Sequence, residues 1–317
     1  MEHSIVTLLG PDEWTRSVGK ETSSTSFGIG VLKRDDRIVT TVYPSKYPEK
    51  IWSLLFTLSL SDRIYLNIER IDRNLGEIII ALDLLRKEEG HIHVNPMVDI
   101  SMIDSILKGT VVEEYADFDP DQASLREVLM DTPRQEVTEG CDLVVDQAFN
   151  VKGVGCVALG FVVRGTVSRH QHLSAYPGNS TAIVRSIQVH DRDQTEAPSG
   201  ARVGLALKNV DTDDLPRGTL LTSGKEGLHC SDQMKGRFML SEYWKEEISE
   251  GARFHLWNSL QFTPVELRNI RFSDREEREF SCDLHLESRV WVRTGDMLGL
   301  TFLDSKSFRL FASGESI

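Results

Sequence analysis

Residues 10–17, Gly-Pro-Asp-Glu-Trp-Thr-Arg-Ser, have the length and the end residues of a phosphate-binding loop. In the consensus G-x-x-x-x-G-K-[ST], backbone N–H groups surround the phosphates, the lysine contacts them and the hydroxyl binds Mg²⁺. Here Thr15 replaces the second glycine, Arg16 replaces the lysine and Ser17 keeps the hydroxyl. A β-branched threonine disfavours the positive φ that glycine permits. We therefore predict the remnant of a nucleotide site at Gly10, Thr15, Arg16 and Ser17.

Three basic residues of the middle third are candidates for binding an anion. Arg185 and His190 flank one predicted strand, and Arg202 begins the next. An arginine can donate two parallel hydrogen bonds to a phosphate or a carboxylate, and a histidine can donate in its neutral or its charged form. Basic residues also face outward on barrels for solubility alone. Both interpretations remain open from the residues themselves.

Other residue types that perform catalysis occur without the spacing that a site requires. Serine, histidine and aspartate are plentiful, but no Gly-x-Ser-x-Gly segment is present. The four cysteines are single, with no Cys-x-x-Cys pair and no histidine cluster at zinc-ligand spacing. The sequence therefore predicts reduced, buried thiols, no metal site and no catalytic residue.

The charge is unevenly distributed along the 317 residues, which carry a net charge of −13. This net charge argues against a DNA-binding protein or a general nucleic-acid coat. Residues 141–225 hold 9 Lys and Arg against 8 Asp and Glu, whereas residues 1–140 hold 15 against 25. The middle third therefore repels an anionic partner least.

Neither a signal segment nor an apolar run of membrane-spanning length is present, so we expect a cytoplasmic protein without a membrane partner.

Two kinds of element must position these residues. In the first third, apolar runs alternate with segments of helical spacing, as in a parallel α/β sheet. The runs are residues 4–9, 37–42 and 64–68, and the helical segments are residues 49–60, 76–87 and 100–107. After an acidic stretch punctuated by Pro and Gly, the pattern changes at Cys141 to short strands separated by turns. Such strands predict β-barrels.

The middle third carries the most specific motifs, which are residues 146–160, 184–190, 201–207 and 214–220. Their order and spacing resemble the second domain of the SelB and elongation factor Tu family of translational GTPases. The resemblance implies a multidomain fold, α/β plus all-β. A reduced P-loop GTPase-like α/β domain in residues 1–135 would precede two β-barrels, in residues 141–224 and 225–317. Residues 76–85 resemble the corresponding helix of SelB and of the archaeal SelB-like factor called EF-Pyl, which also has an arginine in its phosphate-binding loop. The chain most resembles that factor.

By that resemblance, further nucleotide-binding positions are altered. The family has Asp-x-x-Gly-His where this chain has Tyr43 at the aspartate and Tyr47 at the catalytic histidine. Guanine is recognised by Asn-Lys-x-Asp, and in this chain Asp99 follows the corresponding strand without the lysine. The metal-sensing threonine falls in a Ser/Thr run at residues 22–26, where no single threonine can be assigned. We therefore predict no cofactor, with GTP or GDP and Mg²⁺ as the alternative.

The resemblance also implies where RNA binds. In elongation factor Tu-like proteins, the second domain holds the 3′ end and the aminoacyl group of tRNA beside a carboxylate in a loop. Glu196 lies in the corresponding loop of this chain. The expected RNA contacts are therefore Arg185, His190, Glu196 and Arg202.

Three functions are consistent with these predictions. The favoured one is an elongation factor-like protein that binds tRNA, another translational RNA or a ribosomal partner without an ordinary GTP cycle. The alternatives are an active GTP-binding factor that delivers a specialised aminoacyl-tRNA, and a protein-interaction scaffold. GTP binding separates the first function from the second, and basic surface on residues 141–225 separates the first from the third.

Overall fold

The computed structural model describes residues 1–22, 25–61, 63–132, 137–273 and 278–317. The predicted domain boundary at residue 135 and part of the Ser/Thr run lie outside the described residues. The described chain forms an α/β sheet followed by two units of antiparallel β-strands, which confirms the predicted fold class. In this part of the chain, no helix combines the length and the apolar composition needed to cross a membrane.

The first unit is a seven-stranded sheet of order β2-β3-β4-β1-β5-β6-β7 with α-helices on both faces. Its strands are β1 (Glu2–Leu9), β2 (Lys20–Thr22), β3 (Gly28–Arg34), β4 (Arg37–Tyr43), β5 (Ile64–Ile68), β6 (Gly90–Val94) and β7 (Ala116–Asp117). Its helices are α1 (Asp12–Ser17), α2 (Ile51–Leu60), α3 (Arg73–Leu84), α4 (Ile100–Leu107) and α5 (Gln122–Met130), with a 3₁₀ turn at Val111–Glu114. Neighbouring strands from β4 through β1 to β7 run parallel.

Strand β1 separates two apolar layers. Ile5 and Leu9 belong to the core that α2, α3 and α4 cover. Val6 and Leu8 belong to the core that α5 covers. Because successive side chains of a strand point to opposite faces, a strand that is buried on both faces is apolar without alternation. This explains the continuous apolar run at residues 4–9.

The second unit is built from antiparallel strands. They are β8 (Cys141–Val151), β9 (Gly155–Ser168), β10 (His172–Tyr176), β11 (Thr181–Val189), β12 (Arg192–Gln194), β13 (Glu196–Pro198), β14 (Arg202–Lys208) and β15 (Leu220–Thr222). The pairing of β10 with β11 joins the two ends of the path β10-β15-β8-β9-β14-β11, which closes a ring. The helical structure of residues 145–220 is a three-residue 3₁₀ turn, Thr212–Asp214.

The third unit is a closed barrel of order β16-β19-β18-β17-β20-β21. Its strands are β16 (Leu228–Leu240), β17 (Arg253–Asn258), β18 (Gln261–Phe272), β19 (Glu279–Arg293), β20 (Leu298–Thr301) and β21 (Leu310–Ser316). Trp244 belongs to its apolar core, and Trp291 packs in the core that joins this barrel to the first unit. The tryptophans of this unit are therefore packing residues.

A buried ion pair fastens the first unit to the third. The carboxylate of Glu77, on α3, accepts hydrogen bonds from the backbone N–H of Arg309 at 2.8 Å and from its Nε at 3.0 Å, and also pairs with its Nη2. The guanidinium of Arg309 donates to the carbonyl oxygen of Pro48 at 2.7 Å and lies 5.7 Å from the ring centre of Tyr47. The segment after β4 is thus held against the third unit.

The second unit contacts both other units through buried polar groups. Asp142 accepts a hydrogen bond from Nη2 of Arg293, in the third unit, at 3.0 Å. Asp146 is fully buried and lies 3.5 Å from Nε of Arg217, whose guanidinium also donates to the hydroxyl of Thr25 in the first unit. Each pair of units therefore shares contacts in which a charged side chain is withdrawn from water.

Replacing Arg309 with methionine leaves the Glu77 carboxylate, 4% exposed, without its ionic partner. We expect Arg309→Met to destabilise the protein by about 3–5 kcal/mol, because an unpaired buried charge is strongly unfavourable. The midpoint of thermal unfolding measures this loss. The matched control is Arg253→Met, which breaks an exposed pair with Glu287 (68% and 60% exposed) and should cost about 1 kcal/mol or less. Equal decreases in the unfolding midpoint of the two variants would contradict the conclusion that Glu77 and Arg309 form a buried, stabilising ion pair.

Candidate functional site

The first candidate site lies at the carboxyl ends of β1, β5 and β6, where open α/β sheets bind their ligands. Residues 12–17 form the helix α1 here, whereas the spacing predicted a phosphate-binding loop. The N–H of Thr15 donates to the carbonyl of Pro11 at 3.0 Å, and the hydroxyl of Ser17 donates to the carbonyl of Trp14 at 2.7 Å. In a phosphate-binding loop these groups would face the ligand. In this chain they stabilise a helical turn.

Arg16 is paired with groups of its own domain. Its Nη1 donates to Oε1 of Glu21 at 2.9 Å, and its guanidinium carbon lies 6.0 Å from the ring centre of Tyr43. The Tyr43 hydroxyl donates to the same Glu21 oxygen at 3.0 Å. Arg16 stands at the lysine position and Tyr43 at the metal-binding aspartate position that the resemblance assigned. Glu21 thus takes the place of an external anion beside both residues.

Tyr43 is part of the core. Its ring lies over Gly28, so close that a Cβ at residue 28 would be 1.9 Å from Cε2 of the ring. Burial, and then the hydrogen bond to Glu21, raises the pKa of Tyr43 to about 12. The side chain is therefore a neutral hydrogen-bond donor over the physiological range, without the negative charge with which an aspartate binds a metal.

Asp99, which the resemblance assigned to guanine recognition, has partners within the chain. Asp99 caps the helix α4, where its carboxylate accepts hydrogen bonds from the N–H and the hydroxyl of Ser101 at 2.9 and 2.6 Å. These bonds hold the pKa of Asp99 below its usual value.

The indole of Trp14 donates to the carbonyl of Pro120 at 3.0 Å, and its ring centre lies 6.0 Å from that of Phe118. Trp14 therefore connects the segment after β1 to the segment after β7.

Tyr47, at the position of the catalytic histidine, lies at the contact with the third unit. Its hydroxyl donates to the carbonyl of Asn74 at 2.9 Å, and the Arg309 guanidinium lies over its ring. Burial, followed by the nearby charge of Glu77, raises the pKa of Tyr47. A phenol with a raised pKa is a poorer proton acceptor at neutral pH than an imidazole. Tyr47 therefore acts as a structural contact.

The second candidate site is a cleft of about 450 Å³ between the first and second units, here called the basic cleft. It is lined by Lys20, Val31, Lys33, Leu159, Gln188, His190, Asp191, Arg202, Val203 and Gly204. The first three residues come from β2 and β3, and the others come from β9, β11, the turn after β11, and β14. Two of the predicted RNA contacts, His190 and Arg202, meet in this cleft.

Positive charge dominates the electrostatics of the basic cleft. Burial, and then the charge of Lys33, lowers the pKa of His190 to about 4, so its imidazole is neutral at pH 7. Burial, and then the neighbouring Arg192, lowers the pKa of Lys33. Arg202 is largely withdrawn from solvent, which lowers its pKa, and its Nη1 lies 3.5 Å from the hydroxyl of Thr22. The cleft thus gathers like charges that repel one another.

The other two predicted RNA contacts lie outside the cleft lining. Arg185 lies at a β-bulge of β11, where the register to β14 shifts between Val184 and Ser186. Bulges change the direction of a side chain relative to the sheet. Glu196 is exposed on β13, opposite Ser168 of β9. Of the four predicted RNA contacts, two therefore line the basic cleft together and two lie at separate positions outside its lining.

The sequence missed Lys20, Lys33 and Gln188 as candidate site residues. Both lysines belong to the acidic first third, where a charge count gives no reason to select them. Gln188 is a neutral residue within a predicted strand. Only the packing of the two units brings the three together. Among the residues that the structure describes, no group of three or more His, Cys, Asp and Glu side chains is placed to hold a metal ion.

Comparison with known proteins gives consistent results. No protein-family model matches the chain. An uncharacterized protein of Methanocaldococcus jannaschii is 33% identical over 302 residues, which cover 95% of each chain. The selenocysteine-specific elongation factor of that organism is 29% identical over 199 residues, which cover 58% of this chain and 42% of the factor. Elongation factor SelB of Methanococcus maripaludis, solved with the GTP analogue GppNHp, matches 100% of this chain and 79% of its own with a TM-score of 0.80 at 19% identity.

Replacing Gly28 with alanine tests the position of Tyr43 in the core. Since the new methyl group would overlap the phenol ring, we expect Gly28→Ala to destabilise the protein by at least about 1–3 kcal/mol, as overpacking does. Gly178→Ala is the matched control, because the nearest atom to its Cβ would be the carbonyl oxygen of Ala175 at 3.6 Å. Thermal unfolding of both variants gives the comparison. A Gly28→Ala protein as stable as the control would show that Tyr43 lies elsewhere.

Proposed function

We propose that this chain, which belongs to the family of its Methanocaldococcus jannaschii relative and to the SelB- and elongation factor Tu-like translation factors, binds tRNA or another translational RNA without a GTP cycle. The observation that carries the proposal is the basic cleft. Lys20, Lys33 and Arg202 line it together in a protein of net charge −13. Phosphate groups are the part of RNA that such a cluster attracts.

The surroundings of the cleft support an RNA ligand. Arg185 lies on β11, three residues before Gln188 of the cleft lining. Glu196 is an exposed carboxylate on the same unit, suited to accept a hydrogen bond from a ribose hydroxyl. Relatives named as elongation factors make a translational RNA or the ribosome the reasonable partner. The proposed contacts are therefore Arg185, His190, Glu196 and Arg202, joined by Lys20 and Lys33.

The residues at the carboxyl ends of β1 and β5 do not fit GTP and Mg²⁺. The charge of Arg16 is paired with Glu21, and the phosphate-binding frame is helical. Mg²⁺ in nucleotide sites relies on a carboxylate or hydroxyl in addition to the phosphates. Tyr43 offers no carboxylate, and the Ser17 hydroxyl is bonded within α1. We propose on this basis that the α/β unit has become a scaffold for the barrels.

The two alternative functions make different demands on the chain. An active GTP-binding factor would require α1 to unwind and Arg16 to leave Glu21. A protein-interaction scaffold would give no role to the cations of the basic cleft. The particular kinship to the factor called EF-Pyl, which Arg16 suggested, remains part of the proposal.

The RNA proposal predicts a salt-dependent interaction in which Arg185 takes part. We expect Arg185→Ala to weaken tRNA binding and to reduce the slope of log affinity against log salt by about 0.7–0.9, the value for one lost phosphate contact. Glu196→Ala should weaken binding with little change of slope, because its contact is to a sugar. Fluorescence anisotropy of labelled tRNA across a salt series measures both quantities.

The control for these variants is Arg253→Ala, which removes an exposed arginine of the third barrel. Its affinity and salt slope should equal those of the wild type, since no RNA contact is assigned to that barrel. If wild-type protein fails to bind tRNA at low salt, or if Arg185→Ala and Arg253→Ala behave alike, the scaffold function becomes the better conclusion.

The nucleotide proposal predicts that the protein neither binds nor hydrolyses GTP. Labelled GTP and GDP, with and without Mg²⁺, should show no saturable binding in the micromolar range, which corresponds to about −8 kcal/mol. Methanococcus maripaludis SelB, whose structure contains a GTP analogue, is the positive control. Mg²⁺-dependent micromolar binding to this chain would restore the active-factor alternative.

A further inference from the structure

We propose that the basic cleft recognises a phosphate monoester, a dianionic group at the end of its ligand. This inference rests on the proposed function, because it names the chemical group that the RNA-binding site takes. It differs from general RNA binding, since the phosphodiesters of an RNA backbone carry a single negative charge each.

The count of charges in the cleft supports a dianion. Lys20, Lys33 and Arg202 line it with one carboxylate, Asp191. Arg192 is close enough to act on Lys33, and the buried carboxylate of Asp146 acts on Arg202. Like charges gathered at short range oppose folding unless a counter-charge binds. The lining and these two neighbours together have an excess of two positive charges, which a phosphate monoester with about −1.5 to −2 charges at pH 7 neutralises.

His190 supplies a further hydrogen bond. Its Nε2 is buried and has no hydrogen-bond partner among the described residues, although the ring lines the cleft. An unsatisfied buried polar atom is unfavourable until it finds a partner. A neutral imidazole protonated at Nε2 donates to an oxyanion without adding to the repulsion between Lys33 and Arg202. The histidine thus complements the cations in holding a phosphate oxygen.

The shape of the cleft limits what carries the phosphate. Val31, Leu159 and Val203 form apolar lining beside the cations. A volume of about 450 Å³ exceeds the needs of a phosphate alone and is within the range of small-molecule pockets. Three carriers share this chemistry: a phosphorylated amino acid on the end of an RNA, an RNA that ends in a 3′-phosphate, and an RNA that begins with a 5′-phosphate.

Calorimetric titration of the full chain tests the group and its carrier. The ligands are O-phosphoserine, serine, inorganic phosphate and dimethyl phosphate, the last being a diester with one charge. We expect O-phosphoserine and inorganic phosphate to bind saturably, and serine and dimethyl phosphate to bind at least about tenfold more weakly. Short RNAs with a 3′-phosphate, with a 5′-phosphate, or with hydroxyls at both ends then show whether an RNA terminus alone suffices.

Variants locate the binding in the cleft. Lys33→Gln and His190→Gln should each weaken O-phosphoserine binding by about tenfold, the effect of losing a charged or buried hydrogen bond. Lys152→Gln, at the exposed turn between β8 and β9, is the matched control and should bind as the wild type does. Because the comparison of mono- and diester uses wild-type protein, it remains informative if a variant fails to fold.

Each result supports or overturns the inference. If O-phosphoserine binds no better than serine, or if Lys33→Gln binds it as Lys152→Gln does, the cleft is not a monoester site. Binding of labelled tRNA to the same protein distinguishes failure of the monoester inference from failure of the proposed RNA-binding function. Binding of tRNA without binding of O-phosphoserine or phosphate overturns this inference and leaves the proposed function standing. Binding of O-phosphoserine without tRNA supports the inference and overturns the RNA function.

Discussion

Glu77 and Arg309 form the contact on which the arrangement of the α/β sheet and the third barrel depends. Burying a carboxylate and a guanidinium is unfavourable unless each finds full hydrogen bonding. Glu77 receives bonds from the backbone and the side chain of Arg309, which also reaches Pro48 and covers Tyr47. The segment after β4 is thus positioned by contacts within the chain.

At the carboxyl edge of the sheet, polar side chains likewise have hydrogen-bond partners within the chain. Glu21 provides the negative charge beside Arg16 and accepts the hydroxyl of Tyr43, while Trp14 reaches the segment after β7. Each contact satisfies a polar group that would otherwise be exposed or unpaired. The edge is therefore stabilised by packing, and its residue types follow from that packing as much as from a nucleotide-binding ancestry.

The sequence predicted those elements whose signals are local. The helix at residues 100–107 and the strand at residues 64–68 have the predicted bounds, because the apolar pattern of each is local and Asp99 caps the helix. The helix α1 was missed because the spacing of its residues matched a phosphate-binding loop, although its stabilising bonds from Thr15 to Pro11 and from Ser17 to Trp14 are local. The basic cleft was only half predicted, because part of it depends on contacts between distant segments. His190 and Arg202 follow from the barrel motifs, but Lys33 joins them only through the packing of two units.

For the proposed RNA ligand, the distribution of charge on the protein determines which part of the RNA can approach. The first and third units are acidic, and at 0.1 M salt their repulsion of a polyanion extends about 10 Å from the surface. The attraction of Lys33 and Arg202 acts at contact distance inside a cleft between units. An RNA lying along the protein would meet repulsion over most of its length. A terminus that enters the cleft gains the attraction while the remaining chain stays in solvent, so this arrangement favours the end of an RNA over its duplex body.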